Sequence, residues 1–263
     1  MNLSGKRIVV TGASRGIGER IARKAAAAGA QVALVARSRE ALEKLAADLG
    51  GDAYAADLSD AAGRAGLIAR IDADGPIDVL VNNAGVDHAG RLVDVDAAAL
   101  NSLFELNLHA PIELCRQVLP SMLERRAGHI VNMSSIAGTV GAPGLTLYTA
   151  SKAGLSHFTA CLRAEIKGCG IGTTLVEFGP AATDMMDSLR GYGPTARSVR
   201  RFEQLKLLVE LDPDVVAAAV VSAIQHDRRH VRLPKRAALF PMLAEMPRRM
   251  TELLLAGVDH HSA

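Results

Sequence analysis

The chain has few aromatic residues, little net charge and no long apolar run. Aromatic residues make up 3% of its 263 residues, and tryptophan is absent. Platforms on which nucleic-acid bases could stack are therefore not expected. The net charge is only +2 and the sequence has no separate basic arm, which also argues against a nucleic-acid partner. Because no apolar run approaches the ~20 residues that span a bilayer, a transmembrane helix is not expected.

Cysteine is also scarce. Cys115, Cys161 and Cys169 form an odd, unclustered set without metal-ligand spacing, so we expect reduced thiols and no metal site. The first residues, MNLSGKRIVV, lack a signal-peptide pattern and lead directly into an apolar strand-like run. These features together predict a cytoplasmic protein.

What is present is a hydrophobic content of 49%, enough for one α/β domain to bury a full core. The N-terminal region reads as a strand, a glycine-rich turn, a helix and a second strand, at Ile8–Val10, Thr11–Gly18, Ile21–Ala28 and Gln31–Val35. The turn carries glycines at 12, 16 and 18. Glycine is needed where backbone approaches a pyrophosphate and where a helix packs closely on a sheet, and the helix N-terminus attracts phosphate. This pattern favours a dinucleotide site.

A second motif lies in the middle of the chain. Tyr148 and Lys152 are four residues apart at the start of a predicted helix, and Ser135 lies thirteen residues before Tyr148. Residues four apart share a helix face, and a nearby cation lowers the phenol pKa from its ordinary value of about 10 towards the range of acid–base catalysis. A serine hydroxyl could then hydrogen-bond a carbonyl oxygen. The alternative is an ordinary surface Tyr–Lys pair.

The motifs occur together and in a fixed order: Thr11-Gly-Ala-Ser-Arg-Gly-Ile-Gly18, Asn82-Asn-Ala-Gly85, Asn107, Ser135 and Tyr148-x-x-x-Lys152. From about Gly5 to Arg232 the chain resembles the single-domain short-chain dehydrogenase/reductase family. The resemblance implies a Rossmann-type doubly wound parallel sheet of about seven strands, with helices on both faces in three layers. It also implies a nicotinamide cofactor and hydride transfer between an alcohol and a carbonyl.

The resemblance implies a role for each catalytic residue. Tyr148 would donate the proton in reduction, and Lys152 would lower its pKa and hold the nicotinamide ribose. Ser135 would polarise the carbonyl; the family's thirteen-residue separation favours it over Ser134, which would be structural. Asn107 would hold a water that relays protons from the lysine to solvent.

The expected cofactor-binding residues lie along the first half of the chain and after the sixth strand. They are Gly12, Ser14, Arg15, Gly16, Ile17, Gly18, Arg37, Asp57, Leu58, Asn83, Ala84, Gly85, Tyr148, Lys152, Gly179 and Thr183. The second strand ends at Ala36 and Arg37, where an acidic residue would select NAD(H). Two arginines suit a 2′-phosphate, so we predict NADP(H) over NAD(H). The alternative is that Arg15 and Arg37 are solvated surface residues.

Other positions leave the substrate open. Phe178 stands where the family usually has proline, and Asp87 and His88 follow the Asn-Asn-Ala-Gly motif at a predicted pocket mouth. His88 is a weak candidate acid. Residues 184–209 resemble a substrate lid whose apolar side chains favour a hydrophobic small molecule, although a packed helical core would explain them equally well.

The C-terminal extension, residues 234–263, has prolines that fit the first turns of two short helices and an apolar stripe beside basic residues. Such an end could lie on an anionic membrane surface, but docking on its own protein or a sister subunit is the favoured interpretation. By resemblance we expect a homodimer or homotetramer.

The sequence therefore predicts an NADP(H)-dependent oxidoreductase of one domain that interconverts a secondary alcohol and a ketone or aldehyde. One alternative is a nucleotide-sensing or scaffolding protein that keeps the fold without turnover. Another, an epimerase or dehydratase-like relative, is disfavoured by the compact length.

Overall fold

The structure, a computed structural model, describes residues 1–141, 143–183, 186, 191–206 and 208–254. Seven strands lie within this part of the chain and pair in parallel throughout. They are β1 (Arg7–Thr11), β2 (Gln31–Ala36), β3 (Asp52–Ala55), β4 (Val79–Asn82), β5 (Gly128–Met133), β6 (Ile171–Phe178) and β7 (His230–Leu233). Their spatial order is β3-β2-β1-β4-β5-β6-β7, as expected for a Rossmann-type sheet.

Helices connect the strands and cover both faces of the sheet. The described α-helices are α1 (Gly16–Ala27), α2 (Arg39–Leu49), α3 (Ala61–Arg64), α4 (Leu67–Ala73), α5 (Ala97–Phe104), α6 (Ala110–Arg125), α7 (Thr146–Glu165), α8 (Gly193–Gln204), α9 (Pro213–Gln225) and α10 (Leu239–Leu254). Among the residues placed by the structure, no helix is both long and apolar enough to cross a membrane.

The core lies on both faces of the sheet because successive strand residues point to opposite sides. On one face Ile8 and Val10 belong to a buried apolar cluster that includes Ile21 of α1 and Val220 of α9. On the other face Val9 belongs to a second cluster with residues of α6 and α7. This arrangement explains why the strands read as continuous apolar runs and yields three layers.

The strand order reverses beside β1, and this position determines where a ligand binds. β1 pairs with β2 on one side and with β4 on the other, so the chain crosses from one half of the sheet to the other after β3. The loops at the carboxyl ends of β1 and β4 therefore diverge and leave a crevice between them. The glycine turn and the Asn82–Gly85 motif lie at this edge.

Three predicted elements differ from the observed ones. The first helix begins at Gly16, inside the expected glycine turn and before the predicted start at Ile21. The helix expected over Ala61–Asp74 is two helices, because Gly66 adopts a left-handed conformation with φ 63° and separates α3 from α4. The two short helices expected in the C-terminal extension are one helix, α10, with Pro247 inside it.

Candidate active site

The glycine turn after β1 leaves no room for side chains. Gly12 has φ +65°, and a methyl group there would lie 2.9 Å from the Ala84 Cα atom. Gly16 also has a positive φ, and α1 begins at this residue. A methyl group at Gly18 would lie 2.2 Å from the Gly12 carbonyl oxygen. The turn thus brings bare backbone and a helix N-terminus to the crevice, and this suits a pyrophosphate.

Thr11 ties the turn to the neighbouring loop. Its hydroxyl donates to the Val81 carbonyl and accepts hydrogen bonds from the backbone amides of Asn83 and Ala84, at 2.9 and 3.0 Å. The Asn83 side chain returns a bond to the Thr11 carbonyl at 2.9 Å. Sequence reasoning did not assign Thr11 a role. Its position at the end of β1, directly before Gly12, is the signal that could have revealed it.

A cleft of about 990 Å³ runs along the carboxyl edge of the sheet. It is lined by all but one of the predicted cofactor residues, namely Gly12, Ser14, Arg15, Gly16, Ile17, Arg37, Asp57, Leu58, Asn83, Ala84, Gly85, Tyr148, Lys152, Gly179 and Thr183. Gly18 is the exception: it is buried, and its small size permits close packing of α1 on the turn. The lining, together with the bare glycine cradle, fits a dinucleotide.

At the far end of the cleft lie the residues expected to contact the adenosine. Arg37 is exposed, and its charge lowers the pKa of Asp57, although hydrogen bonding from Ser59 lowers it more. The Ser59 hydroxyl and backbone amide both donate to Asp57 Oδ1, at 2.6 and 2.9 Å. Asp57 is therefore held in a local turn at the rim while Leu58 is buried beneath it.

Tyr148 and Ser135 meet at the opposite end of the cleft. Tyr148 lies in the first turn of α7 and is buried. Burial raises its pKa to about 12; the Asp87 carboxylate also raises it, whereas a hydrogen bond with Ser135 lowers it. The Ser135 hydroxyl donates to the Phe178 carbonyl at 3.3 Å and accepts from the Ala137 amide at 3.1 Å. The two hydroxyls expected to contact a substrate carbonyl are thus adjacent.

Lys152 lies one turn further along α7. Its Nζ atom is 5.9 Å from the centre of the Tyr148 ring and donates to the Met133 carbonyl at 2.9 Å. Burial lowers the lysine pKa to about 8. The expected lowering of the Tyr148 pKa by Lys152 is wrong for the protein alone, because desolvation of the phenol outweighs the other influences and the direction of the shift is upward.

Asn107 is fully buried behind the cleft and does not line it. It lies in a π-helical turn, Glu105–His109, between α5 and α6. Its side chain pairs with both backbone groups of Val86, at 2.8 Å each, and donates to the Ser151 hydroxyl at 3.2 Å. A methyl group at Gly85 would lie 3.1 Å from Asn107 Oδ1 and 3.5 Å from Lys152 Nζ. Asn107 is therefore next to the lysine, and no sequence signal pointed to Val86 or Ser151 as its partners.

Ser134 and Asn82 have structural contacts. The Ser134 hydroxyl donates to the Lys152 carbonyl at 3.0 Å and lies 2.8 Å from the Ser156 hydroxyl, inside the interface of β5 with α7. The Asn82 amide donates to Asn132 Oδ1 at 2.8 Å, joining β4 to β5. Both serines line the cleft, but the hydrogen bond with Tyr148 is made by Ser135.

Of the remaining predicted positions, some line the cleft and others do not. Neither Asp87 nor His88 lines the cleft, although the charge of Asp87 acts on Tyr148. Phe178 and Thr183 do line it, and Thr183 lies beside the glycine turn, 3.9 Å from where a methyl group at Gly16 would stand. Within the expected lid, residues 184, 185, 187–190 and 207 lie outside the described residues, as does the chain end, residues 255–263.

The walls beyond Tyr148 are apolar. Side chains from the β5–α7 loop and from the segment after β6 line this part of the cleft: Ile136, Val140, Leu145, Met186, Val199, Phe202 and Leu208. The Thr195 hydroxyl of α8 donates to the Pro143 carbonyl at 2.8 Å and so joins the two walls. The site combines a dinucleotide cradle, a buried Tyr–Ser pair and an apolar chamber.

Comparison with known proteins agrees with this geometry. The short chain dehydrogenase family model matches residues 6–191. The ketoacyl reductase HetN of Nostoc sp. is 38% identical over 236 residues, which cover 87% of this chain and 78% of that protein. The 3-oxoacyl-[acyl-carrier-protein] reductase FabG of Escherichia coli K12 is 36% identical over 192 residues, covering 72% and 79% of the two chains.

A solved structure shows the same fold over most of the chain. A short-chain dehydrogenase from Sphingobium yanoikuyae, in complex with NADPH, superimposes with a TM-score of 0.80 at 27% identity, and the match covers 98% of each chain. The family match, the sequence relatives and the shared fold lead to one conclusion. The chain belongs to the short-chain dehydrogenase/reductase family and is an oxidoreductase of the kind that acts on CH–OH groups.

Proposed function

We propose that the enzyme uses NADP(H) to interconvert a secondary alcohol and a ketone or aldehyde on a hydrophobic small molecule. The observation that carries the proposal is the placement of Tyr148. Its buried phenol is hydrogen-bonded to Ser135 and lies between the dinucleotide cradle and the apolar chamber. A carbonyl carbon held there would face the cofactor on one side and two hydroxyl donors on the other.

The chain's own residues supply the proton chemistry. Because the pKa of Tyr148 is about 12 in the protein alone, the phenol is protonated at neutral pH and suits a proton donor in the reduction direction. Ser135 would donate to the substrate oxygen. A nicotinamide held in the cradle would supply or accept the hydride.

Lys152 and Asn107 would pass protons between Tyr148 and solvent. Lys152, with a pKa of about 8, can both hold a proton and release it near neutral pH. Asn107 would order the water through which that proton reaches solvent; its contacts with Val86 fix its orientation.

The preference for NADP(H) is proposed from the adenosine end of the cleft. Arg15 and Arg37 both line it, and β2 ends without the acidic residue that would accept bonds from ribose hydroxyls. A 2′-phosphate would bring two negative charges to these guanidinium groups, whose forked donors match phosphate oxygens. The NADPH complex of the Sphingobium relative supports this choice.

The proposal of an apolar substrate is supported by the seven apolar side chains that surround the chamber. We also propose that the chain works as one domain, with residues 184–209 as a substrate lid and residues 234–263 as a C-terminal extension, as a homodimer or homotetramer in the cytoplasm.

The proposal is tested by titrating the protein with NADPH and with NADH, following nicotinamide fluorescence, and then assaying oxidation of NADPH with a panel of apolar ketones. We expect tighter binding of NADPH and turnover of at least one bulky ketone. Tyr148→Phe should retain cofactor binding and lose about 10²–10⁴-fold in kcat, the usual contribution of a positioned acid.

The matched control is Tyr54→Phe, because the Tyr54 hydroxyl contacts Arg7 and Asp74 rather than the cleft. This variant should keep full turnover. Full activity in Tyr148→Phe would refute the assigned proton donor. Stronger binding of NADH would overturn the cofactor preference alone, and binding of neither dinucleotide would refute the whole proposal.

A further inference from the structure

The C-terminal helix α10 is arranged with its apolar side outward. Five large apolar side chains are 54–60% exposed: Leu239, Met242, Leu243, Met246 and Met250. We call these five residues the α10 stripe. On the opposite side of the same helix Pro241 and Glu245 are buried, and Glu245 is only 4% exposed. An amphipathic surface helix ordinarily buries its apolar side, so this orientation requires an explanation.

A buried ionic cluster explains why the polar side faces inward. Arg232 of β7 pairs with Glu177 of β6 at 2.9 Å and also with Glu245 of α10, while His230 Nε2 lies 2.7 Å from a Glu245 oxygen. Glu177 is 2% exposed. Rolling the helix to bury its stripe would separate these groups and leave buried charges without partners, a costly exchange. The cluster therefore holds the stripe towards the outside.

The stripe forms one continuous surface. Relative to Leu239 its members follow at intervals of three, four, seven and eleven residues, which place them on one face of an α-helix. They are five of the twelve large apolar residues that are exposed in the described part of the chain. Such a concentration of exposed apolar side chains is typical of an interaction surface rather than of ordinary solvent contact.

The charge around the stripe indicates the kind of partner. From Arg228 to Met250 the sequence contains one acidic residue, Glu245, and that residue is buried in the ionic cluster. The basic residues of this stretch are Arg228, Arg229, Arg232, Lys235, Arg236, Arg248 and Arg249. Lys235 and Arg236, just before the helix, are exposed. An apolar face beside exposed cations is complementary to a surface that is apolar and anionic.

We propose that the α10 stripe docks on an anionic lipid surface, with its side chains in the boundary between headgroups and acyl chains and with Lys235 and Arg236 against the headgroups. A second copy of the chain is the less favourable occupant. A twofold contact centred on the stripe would bring together two copies of the same basic stretch, Arg228 to Met250, whose single acidic residue is buried, and like charges at such a contact repel. The sequence favoured docking of this end on its own protein or a sister subunit, and it is the polar side of α10 that packs on its own protein.

The location connects this surface to the active site. α10 follows β7 at the carboxyl edge of the sheet, where Pro234 lies 3.4 Å from the position of a methyl group at Gly179, and Gly179 lines the cleft. A membrane-bound enzyme would therefore hold this edge of its sheet near the lipid. The docking inference itself rests on α10 and does not depend on the substrate.

The experiment is flotation of the full chain with phosphatidylcholine vesicles, prepared with and without phosphatidylglycerol. We expect binding to the anionic vesicles that weakens at high salt, and at least fivefold less binding to the neutral ones. Leu243→Gln/Met246→Gln should reduce binding to anionic vesicles at least tenfold, and Lys235→Ala/Arg236→Ala several-fold.

The matched control replaces two exposed apolar residues on other helices, Leu123→Gln/Val215→Gln, and should bind as the parent does. Because all four replaced side chains are already at least 40% exposed, the variants should keep the parent melting temperature, which is measured first. If the stripe variant nevertheless unfolds, the lysine–arginine variant supplies the same test.

Two results would overturn the proposal. One is failure of the parent protein to float with anionic vesicles. The other is a dimer in sedimentation velocity that the stripe substitution dissociates while vesicle binding is unchanged, since a second copy would then occupy the stripe.

Discussion

The two ends of the cleft are built on different principles. Around the glycine turn the site is made of backbone. Gly12 and Gly18 have contacts too short for a methyl group, and the Thr11 hydroxyl accepts hydrogen bonds from two main-chain amides of the neighbouring loop. Around the substrate chamber the site is made of side chains, among them Phe202 and Leu208. The first end has no room for added atoms, so it tolerates little change. The second end can be altered residue by residue.

The largest effect should come from filling the backbone end. Gly18→Ala would place a methyl group 2.2 Å from the Gly12 carbonyl oxygen. We therefore expect the free energy of unfolding to fall by about 3 kcal/mol, at the upper end of the range for overpacked cores. Cofactor binding should be lost as well. Gly141→Ala, with nothing within 4 Å, should melt as the parent does. Denaturant unfolding and NADPH titration measure both. If the two variants were equally stable, the glycine turn would not be the tightly packed end of the cleft that we describe.

Lys152 stands between the two ends, and its burial should cost stability. Its pKa is about 8 in the folded protein against an ordinary 10.5, so the unfolded chain binds more protons and the stability of the parent rises between these pH values. Lys152→Met should therefore be about 1–3 kcal/mol more stable than the parent at pH 7, while losing turnover. The difference should shrink as the pH is raised towards 10.5. A less stable variant at pH 7 would contradict the assigned burial cost.

At the end of the cleft where the adenosine is expected, the Arg37 side chain, rather than backbone, should decide between NADPH and NADH. Arg37→Ala should raise the Kd for NADPH roughly ten- to hundredfold, the loss of one charge-assisted contact, with little change for NADH. Arg39→Ala is the matched control, because Arg39 is exposed nearby but pairs with Glu43 and does not line the cleft. Parallel losses for both cofactors would mean that Arg37 does not read the 2′-phosphate.

The smallest effect is expected in the substrate chamber. Phe202→Ala should raise KM for a bulky apolar ketone about tenfold, through lost apolar contact, and should leave cofactor binding and kcat for a small ketone almost unchanged. Leu205→Ala on the adjacent turn, 52% exposed and outside the cleft lining, is the control. Steady-state kinetics with the two ketones measure the effect. An equal loss for both ketones would argue that Phe202 positions the cofactor instead.

Much of the cleft was predictable from local sequence. The glycine spacing, the apolar strands and the thirteen-residue separation of Ser135 from Tyr148 are all short-range features. The structure places 15 of the 16 predicted cofactor residues on the cleft, since Gly18 alone is behind it. The helix break at Gly66 was missed because a single glycine can either weaken a helix or end it, and the sequence does not say which.

Other features could be seen only in three dimensions. The upward shift in the pKa of Tyr148 depends on how completely the packed protein excludes water, and helical spacing carries no such information. Likewise Pro247, predicted to start a helix, lies inside α10. The outward direction of the α10 stripe follows from the pairing of Glu245 with Arg232, which pairs in turn with Glu177, far away in sequence.

The sequence by itself determined the family, the parallel three-layer architecture and the identity of the groups along the cleft, because each depends on periodicity or on residues close together in the chain. Only the tertiary structure decided which backbone groups hold Asn107, how far burial shifts the tyrosine and lysine pKa values, and which side of the C-terminal helix faces outward. These depend on distances between residues that are remote in sequence and on the exclusion of water, and both arise only when the chain is packed.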